Sequence, residues 1–144
     1  MKSRLIKQFM TPEPIMLDPE STIEHAAAKM EAIDSGIFPV GDKDHVQGII
    51  TDRDIVVRAL AKGLSPKTTK VKEIMTKTTQ SILQDATIAE AAAQMRRYHV
   101  SRLLVKNLKG SVTGILSLGH LVRNSSPEVL EEVLERTHGK AKAA

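Results

Sequence analysis

The stretch Gly48-Ile49-Ile50-Thr51-Asp52-Arg53-Asp54 returns in weaker form as Gly114-Ile115-Leu116-Ser117-Leu118-Gly119-His120. Each copy has a glycine, two aliphatic residues and a hydroxyl residue, followed three positions later by a polar side chain. This order predicts a strand that runs into a helix, where the free backbone N–H groups favour anions. Thr51 and Asp54 also have the spacing of a capping box, so the stretch is consistent with an anion site, with helix capping, or with both.

The similarity extends over most of the chain, which indicates a tandem repeat. Ile74 lies 65 positions after Phe9, and the same offset aligns three further segments. These segments are Thr22-Ile23 with Thr87-Ile88, Ala26-Ala27-Ala28 with Ala91-Ala92-Ala93, and Phe38-Pro39-Val40 with Leu103-Leu104-Val105. One extra residue in the second hairpin then brings Gly48 onto Gly114. Because the matches keep their order, chance is a poor explanation.

Each repeat predicts the element order β-α-β-β-α, an α/β (α+β) fold. The first strand is short, at 15–17 and again at 81–83. An amphipathic helix follows, then a hairpin with strands at 37–40 and 46–50, or 102–106 and 112–116, and a second helix. The first helices place apolar or small residues on one face: Ile23, Ala26, Ala27 and Met30, and Ile88, Ala91, Ala92 and Met95.

The ends of the helices carry recognisable signals. Thr87 with Glu90 predicts a capping box, and Ser21 with Glu24 predicts the same in the first repeat. The second helix of the first repeat is expected from about 52 to 62, with Gly63 as its C′ residue. Its predicted apolar face consists of Ile55, Val56, Ala59 and Leu60.

The predicted organisation has four parts. Residues 1–64 form the first repeat with an N-terminal segment, 65–70 an exposed polar linker, and 71–124 the second repeat. Residues 125–144 form a C-terminal amphipathic helix, capped by Ser126 with Pro127 at N1, and a frayed basic tail. The apolar stripe of this helix needs a groove on its own subunit or on a partner: Val129, Leu130, Val133 and Leu134.

Composition narrows the function. At 41% hydrophobic and 26% charged residues the chain is typical of globular proteins, and no run approaches the roughly 18 apolar residues of a membrane span. With no cysteine and no signal peptide, we expect a cytoplasmic protein without disulfides. The five histidines lack metal-ligand spacing, and no catalytic motif is present, so neither a metal site nor an enzyme is expected.

The combination of tandem repeats, Met-Thr near the start of each, Phe-Pro-Val in the second strand and Gly-Ile-Ile-Thr-Asp-Arg-Asp resembles the CBS-domain pair (Bateman module). The resemblance covers about Ile6 to Asn124 and is strongest to small bacterial stand-alone CBS-pair proteins. It implies a pseudo-two-fold pair with two clefts that bind adenosine compounds such as AMP, ADP, ATP or S-adenosylmethionine. It also implies a homodimer formed through the helices, which acts as a regulatory sensor and not as a catalyst.

The resemblance assigns residues to each cleft. In cleft one, Asp54 is expected to accept hydrogen bonds from ribose, and Thr51, Arg53 and Arg102 to face phosphate. Val100 and Ser101 would border the base, with Thr79 and Gln80 supplying backbone contacts. Cleft two would use Pro14, Ile15, Ser35, Gly36, Ile37, Ser117 and His120.

Cleft two departs from the family pattern, because His120 replaces the ribose-binding aspartate and Ile37 stands at the position of Arg102. Loss of a charge-assisted bond of roughly 1.5–3 kcal/mol lowers affinity about ten- to a hundredfold. Cleft one is therefore predicted to be the stronger nucleotide site.

Two alternatives remain beside the adenine-nucleotide sensor with a protein partner of unknown identity. One is an interaction dimer that binds no ligand and acts through its helices. The other is a nucleic-acid-associated regulator, favoured only by the net charge of +4 and pI near 9.4. With two phenylalanines and one tyrosine, the chain offers few platforms for stacking on single strands, so nucleic acid is the weaker candidate.

Overall fold

The computed structural model describes residues 4–77, 79–124 and 126–138. Its strands are β1 (Thr11–Pro12), β2 (Ile37–Asp42), β3 (His45–Thr51), β4 (Ser81–Leu83), β5 (Arg102–Lys106) and β6 (Val112–Ser117). Its α-helices are α1 (Ile23–Ile33), α2 (Asp52–Asp54), α3 (Val71–Ile74), α4 (Ile88–Tyr98), α5 (Leu118–Asn124) and α6 (Pro127–His138). The predicted mixed α/β fold with repeated helix–hairpin–helix order is confirmed.

The chain packs as two compact units whose limits differ from those of the sequence repeats. The first unit is Pro14–Thr79, and the second combines the residues up to Glu13 with those from Gln80 onward. The opening segment of each repeat therefore packs in the unit that contains the body of the other repeat. The proposed boundaries at 64 and 71 follow sequence similarity, whereas packing divides the chain near residues 13 and 79.

The first unit is built on the β2–β3 hairpin, which pairs Ile37 with Thr51 and turns between Asp42 and His45. Its buried core draws on the hairpin, α1, α3 and the residues after α2: Leu17, Ile23, Ala26, Phe38, Val40, Ile50, Ala59, Val71, Ile74 and Met75. The predicted strand at 15–17 is wrong. Only Leu17 pairs, as a single parallel bridge to Val40.

The second unit contains a four-stranded sheet in the order β1-β6-β5-β4. β4 runs parallel to β5, while the other two pairings are antiparallel. α6 packs on α4, and Val129 and Val133 are buried in the core of this unit. The groove that the C-terminal helix needs thus lies on its own subunit. The predicted basic tail after His138 lies outside the described residues.

The packing of α6 explains a difference between the two alanine-rich helices. On α4, both Ala91 and Ala92 are fully buried. On α1, Ala26 is buried but Ala27 is exposed, so the predicted helix face is only partly buried in the first repeat. A small residue at the edge of a helical stripe becomes buried only if another element covers it.

The predicted N-cap of α1 needs correction. The N-cap of α1 is Thr22, whose hydroxyl accepts from the His25 N–H, and not Ser21. The carbonyl of Ser21 instead accepts from Val71 N–H, which holds α3 against the start of α1. At the equivalent position of α4, Thr87 and Glu90 form the predicted capping box.

The second helix of the first repeat is not a uniform α-helix. The single α-helical turn α2 continues as a π-helix over Ile55–Ala59 and a 3-10 turn over Leu60–Lys62, and Gly63 follows with φ of +70°. Ala59 is buried, but Val56 and Leu60 are exposed, contrary to the predicted apolar face. The prediction assumed the angular spacing of an α-helix, which the wider π turn changes.

The linker is also less free than predicted. Residues 65–68 are exposed, but Thr69 is buried and its carbonyl accepts from the Ile23 N–H at the start of α1. Pro66 O accepts from Glu24 N–H in the same turn. The linker thus satisfies backbone donors that the first turn of a helix leaves without intrahelical partners.

The glycine that opens the repeated motif permits a close backbone approach. A Cβ added at Gly48 would lie 2.6 Å from the Thr76 carbonyl oxygen, and one at Gly114 would lie 2.9 Å from the Thr11 carbonyl oxygen. Thr11 and Thr76 occupy equivalent positions in the opening segments of the two repeats. Both hairpins therefore need glycine where the other repeat's opening segment docks.

We expect Gly48→Ala to destabilise the protein by about 1–3 kcal/mol, because the new methyl group meets backbone that cannot rotate away. The measurement is the free energy of unfolding in urea. Gly119→Ala is the matched control: its Cβ would meet only the flexible end of Arg123, and alanine favours the helix. Equal stability of Gly48→Ala and the wild type would contradict the close approach.

A surface ion cluster ties the loop before α1 to α3. The carboxylate of Glu20 lies 2.6 Å from Lys70 Nζ and 2.5 Å from Lys72 Nζ. Hydrogen bonds from Lys70 and then Lys72 lower the pKa of Glu20 from 4.5 to about 2. A carboxyl group with a lowered pKa stabilises the folded state above its unfolded pKa, and this contribution is lost as pH falls through the folded pKa.

We therefore expect the stability difference between the wild type and Glu20→Gln to be full above pH 4.5 and to shrink as pH falls toward about 2. Urea unfolding at a series of pH values measures it. The side chains of Glu20, Lys70 and Lys72 are all about half-exposed, so the stability difference is small and decreases with added salt. Glu24→Gln, which removes an exposed carboxylate without an ion pair among the described residues, serves as control. A difference that does not change with pH would show that the cluster is not linked to folding.

Candidate ligand site

The corner between β3 and α2 holds the two residues on which the predicted site depends. Thr51 Oγ1 accepts from the Asp54 N–H at 3.1 Å, and Asp54 Oδ2 accepts from the Thr51 N–H at 2.9 Å. The capping box that the spacing predicts is therefore formed. Capping uses one oxygen of each side chain, and the second carboxylate oxygen of Asp54 faces other groups.

Those other groups are Thr76 and Arg58, which sequence reasoning missed. Thr76 donates its hydroxyl hydrogen to Asp54 Oδ1 at 3.2 Å, and Arg58 Nη1 lies 3.7 Å from the same oxygen. The side chain of Asp54 is only 10% exposed. Arg58 was detectable as an i+4 partner of Asp54 on a helix, whereas Thr76 was visible only as the repeat equivalent of Thr11.

Arg58 also reaches the backbone beyond α3. Its Nη1 is within hydrogen-bonding distance of Ile74 O (3.1 Å), Met75 O (3.2 Å) and Thr76 Oγ1 (3.2 Å). These contacts hold residues 74–76 against the site. The guanidinium carries a positive charge beside a mostly buried carboxylate, so the corner is not a bare acidic site.

Arg53, predicted to approach phosphate, is exposed at the first turn of α2. Its backbone N–H donates to Asp52 Oδ1 at 2.8 Å, and the Asp52 N–H donates to Gly36 O at 3.0 Å. A Cβ at Gly36 would come within 2.7 Å of the Asp52 carboxylate. Gly36 therefore lies directly beside the start of α2.

The second unit repeats this corner with different chemistry. Ser117 Oγ accepts from the His120 N–H at 3.0 Å, which preserves the hydroxyl half of the cap. The Leu118 N–H donates to Ser101 O at 2.8 Å, as Asp52 does to Gly36. His120 is half-buried and supplies an imidazole where the first unit has a carboxylate.

Each unit contains residues that were assigned to different predicted clefts. In the first unit, Ile37 of cleft two is the cross-strand partner of Thr51 of cleft one. In the second unit, Arg102 of cleft one is the partner of Ser117 of cleft two. Arg102 is half-buried on β5. Of the residues predicted for cleft one, Thr51, Arg53, Asp54 and Thr79 belong to the first unit, and Gln80, Val100, Ser101 and Arg102 belong to the second.

The remaining predicted residues have mainly backbone roles within their units. Gln80 O accepts from the Leu104 N–H, and the Val100 N–H donates to Met95 O, both at 3.0 Å. Ser35 donates its hydroxyl hydrogen to Ile37 O at 3.1 Å. Thr79 and Pro14 are half-buried and Ile15 is 36% exposed. The ligand roles of all these residues stay predictions.

Neither a metal-binding cluster nor a membrane-spanning helix occurs among the described residues. They contain no group of three or more His, Cys, Asp or Glu side chains arranged to hold a metal ion. In the same part of the chain, no helix is both long and apolar enough to cross a membrane.

Comparison with known proteins identifies the repeats. The family model of the CBS domain matches twice, at residues 6–60 and 71–126. The CBS domain-containing protein YhcV of Bacillus subtilis (strain 168) is 30% identical over 119 residues, which cover 83% of this chain and 84% of YhcV.

Solved structures agree with this match. The CBS domain pair of protein MJ0100, in complex with 5′-methylthioadenosine and S-adenosyl-L-methionine, has a TM-score of 0.75 at 26% identity, covering 85% of this chain and 95% of that one. Hypoxic Response Protein I, with two coordinated zinc ions, has a TM-score of 0.72 at 28% identity, covering 85% and 99%. The chain therefore belongs to the CBS-domain family, as a pair of CBS repeats that forms a regulatory module.

Proposed function

We propose that the protein is a sensor that binds an adenosine-containing ligand, with AMP, ADP and ATP as the expected forms, and passes its occupancy to a protein partner without catalysis. The observation that carries the proposal is the Asp54 carboxylate, held at the opening of a helix beside Thr51. A carboxylate accepts from ribose hydroxyls, and the start of a helix favours phosphate. The related MJ0100 pair binds two adenosine compounds.

Cleft one is the proposed principal site. Asp54 supplies its carboxylate and Arg102 its guanidinium. The Arg102 side chain makes no ion pair among the described residues. Cleft two offers His120 and Ile37 instead, so it has neither the carboxylate nor the guanidinium. A planar guanidinium opposite a ribose-binding carboxylate suits a charged nucleotide better than a neutral nucleoside.

We expect Asp54→Asn to weaken AMP, ADP or ATP binding about ten- to a hundredfold, because the amide loses the charge that strengthens bonds from ribose hydroxyls. Isothermal titration measures the dissociation constant, and thermal unfolding verifies that the variant folds. Asp52→Asn, in the same motif but exposed, is the control and is expected to bind like the wild type. Binding by Asp54→Asn as tight as that of the wild type would contradict the assignment of Asp54 as the ribose-binding residue.

Thermal unfolding with a ligand panel separates this proposal from its alternatives. A nucleotide at 100 times its Kd stabilises the folded state by about 2.7 kcal/mol. No response to AMP, ADP, ATP, NADH and S-adenosylmethionine would favour the interaction protein that binds no ligand. Salt-sensitive retention of DNA or RNA would favour the nucleic-acid-associated regulator.

We also propose that two copies associate through their helices. Exposed apolar side chains lie where the first repeat's second helix faces solvent: Val56, Val57 and Leu60. Large exposed hydrophobic residues also occur at the ends of α1 and α4, namely Ile33 and Tyr98. Clustered exposed apolar side chains are typical of a surface that a partner covers.

The charges at these helix ends favour one pairing. The end of α1 carries Glu31 and Asp34, whereas the equivalent end of α4 carries Arg96 and Arg97. No ion pair joins any of these four among the described residues. Contact between the α1 end of one copy and the α4 end of the other brings opposite charges together, while contact between like ends is repulsive.

We expect Arg96→Glu to weaken dimerisation and the added change Glu31→Lys to restore it, because the second change re-creates an opposite pair across the interface. Sedimentation equilibrium measures the association constant of the dimer. This constant should also decrease as salt is raised from about 0.1 M to about 1 M, because salt screens the opposite charges. Lys43→Glu makes the same charge change on the distant hairpin turn and is expected to have no effect. Failure of the double variant to recover would exclude this pairing.

A further inference from the structure

Residues 74–76, which we call the docking segment, are bonded to the candidate site by backbone as well as by side chains. The Ile49 N–H donates to Thr76 O at 2.9 Å, and the Thr76 N–H donates to Ile49 O at 2.8 Å. Ile49 lies in the repeated motif, two residues before Thr51. The segment thus makes an isolated antiparallel bridge to β3, and the few residues after it lead into the second unit.

The hydroxyl of Thr76 occupies one acceptor site on the carboxylate that a ribose would use. A carboxylate offers about four lone-pair sites to hydrogen-bond donors. In Asp54, the Thr51 N–H takes one on Oδ2 and the Thr76 hydroxyl takes one on Oδ1, while Arg58 Nη1 lies 3.7 Å from Oδ1, beyond hydrogen-bonding distance. A ribose diol brings two donors, and the Asp54 side chain is only 10% exposed. A ribose donor that approaches Oδ1 therefore meets the Thr76 hydroxyl already bonded to it.

Thr76 is the contact most readily replaced. Its hydroxyl reaches Asp54 at 3.2 Å, which is long for an O–H donor to a carboxylate, for which 2.5–2.7 Å is usual. The Thr51 bond, at 2.9 Å, closes the capping box and is part of the helix start. Arg58 donates to the carbonyl oxygens of Ile74 and Met75 as well as to Thr76 Oγ1, so two of its contacts do not depend on the Thr76 side chain.

We infer that Thr76 is an affinity-determining residue of this site, whose hydroxyl competes with the ribose hydroxyls for Asp54 Oδ1. This inference rests on the proposed function. Ligand binding then replaces the Thr76–Asp54 bond and weakens the hold on the docking segment, leaving Arg58 and the Ile49 bridge to retain it. Because the ligand prefers the state with Thr76 displaced, its occupancy shifts the segment's equilibrium.

The direction of the effect separates competition from support. If Thr76 competes, removing its hydroxyl leaves Asp54 Oδ1 open and tightens binding. If Thr76 instead orients the carboxylate for the ligand, removing its hydroxyl weakens binding. Valine is close in shape to threonine and keeps the β-branched side chain that suits paired backbone. Thr76→Val therefore removes the bond to Asp54 and the acceptor for Arg58, and little else.

The experiment is isothermal titration of AMP, ADP and ATP into the wild type, Thr76→Val and Thr76→Ser. We expect Thr76→Val to bind about three- to tenfold more tightly, the range for loss of one competing hydrogen bond. Thr76→Ser keeps the hydroxyl and is expected to bind like the wild type. Unchanged or weaker binding by Thr76→Val would overturn the inference.

Amide hydrogen exchange supplies a second measurement in the wild type. Nucleotide at saturation is expected to speed exchange of the Ile49 and Thr76 amides relative to that of Ile23. The Ile23 amide is bonded to Thr69 O in the same unit but away from the docking segment, so it serves as an internal reference. Equal or slower exchange at Ile49 and Thr76 would contradict release of the segment.

The outcomes also separate this inference from the proposed function. If the wild type binds none of the three nucleotides, the proposed function fails and the inference fails with it. If the wild type binds and Asp54→Asn weakens binding, the sensor proposal stands. The Thr76→Val result then decides the competition alone.

Discussion

The close docking of each repeat's opening segment on the other repeat's hairpin is the constraint on which this structure depends. Thr76 pairs with Ile49 in the first unit, and Thr11 pairs with Ile115 in the second. Both approaches require glycine on the hairpin, since a Cβ there would meet backbone oxygen at under 3.0 Å. Because each segment is covalently part of one repeat and packed in the unit of the other, neither unit is complete without residues from both.

The same docking places the candidate site's chemistry. Thr76 reaches Asp54, and Arg58 reaches Thr76, only because the segment after α3 lies against β3. In the second unit, α6 covers α4 and buries Ala92, while the strand-to-helix corner carries Ser117 and His120. Two repeats that share one sequence pattern thus differ in their exposed surfaces and in the polar groups at the strand-to-helix corner. Unequal sites are the physical consequence of unequal neighbours as well as unequal residues.

Much of the fold was predictable from local signals. The hairpins, the α1 and α4 helices and the Thr87 capping box follow from periodicity and from hydrogen bonds within a few residues of sequence. The failures lie where distant contacts intervene. Thr22 is the N-cap where Ser21 was expected, while the Ser21 carbonyl accepts from Val71 N–H, and Leu17 forms a single bridge where a strand was expected.

The amino-acid sequence by itself determined the repeat, the mixed α/β fold, the family and the capping pair of Thr51 and Asp54. Each of these rests on residues adjacent in the chain or on a periodic pattern, which are visible without coordinates. Only the tertiary structure decided that Thr76 shares the Asp54 carboxylate, and that α6 packs on its own subunit. Thr76 lies 22 positions from Asp54, and no local rule brings two such residues together.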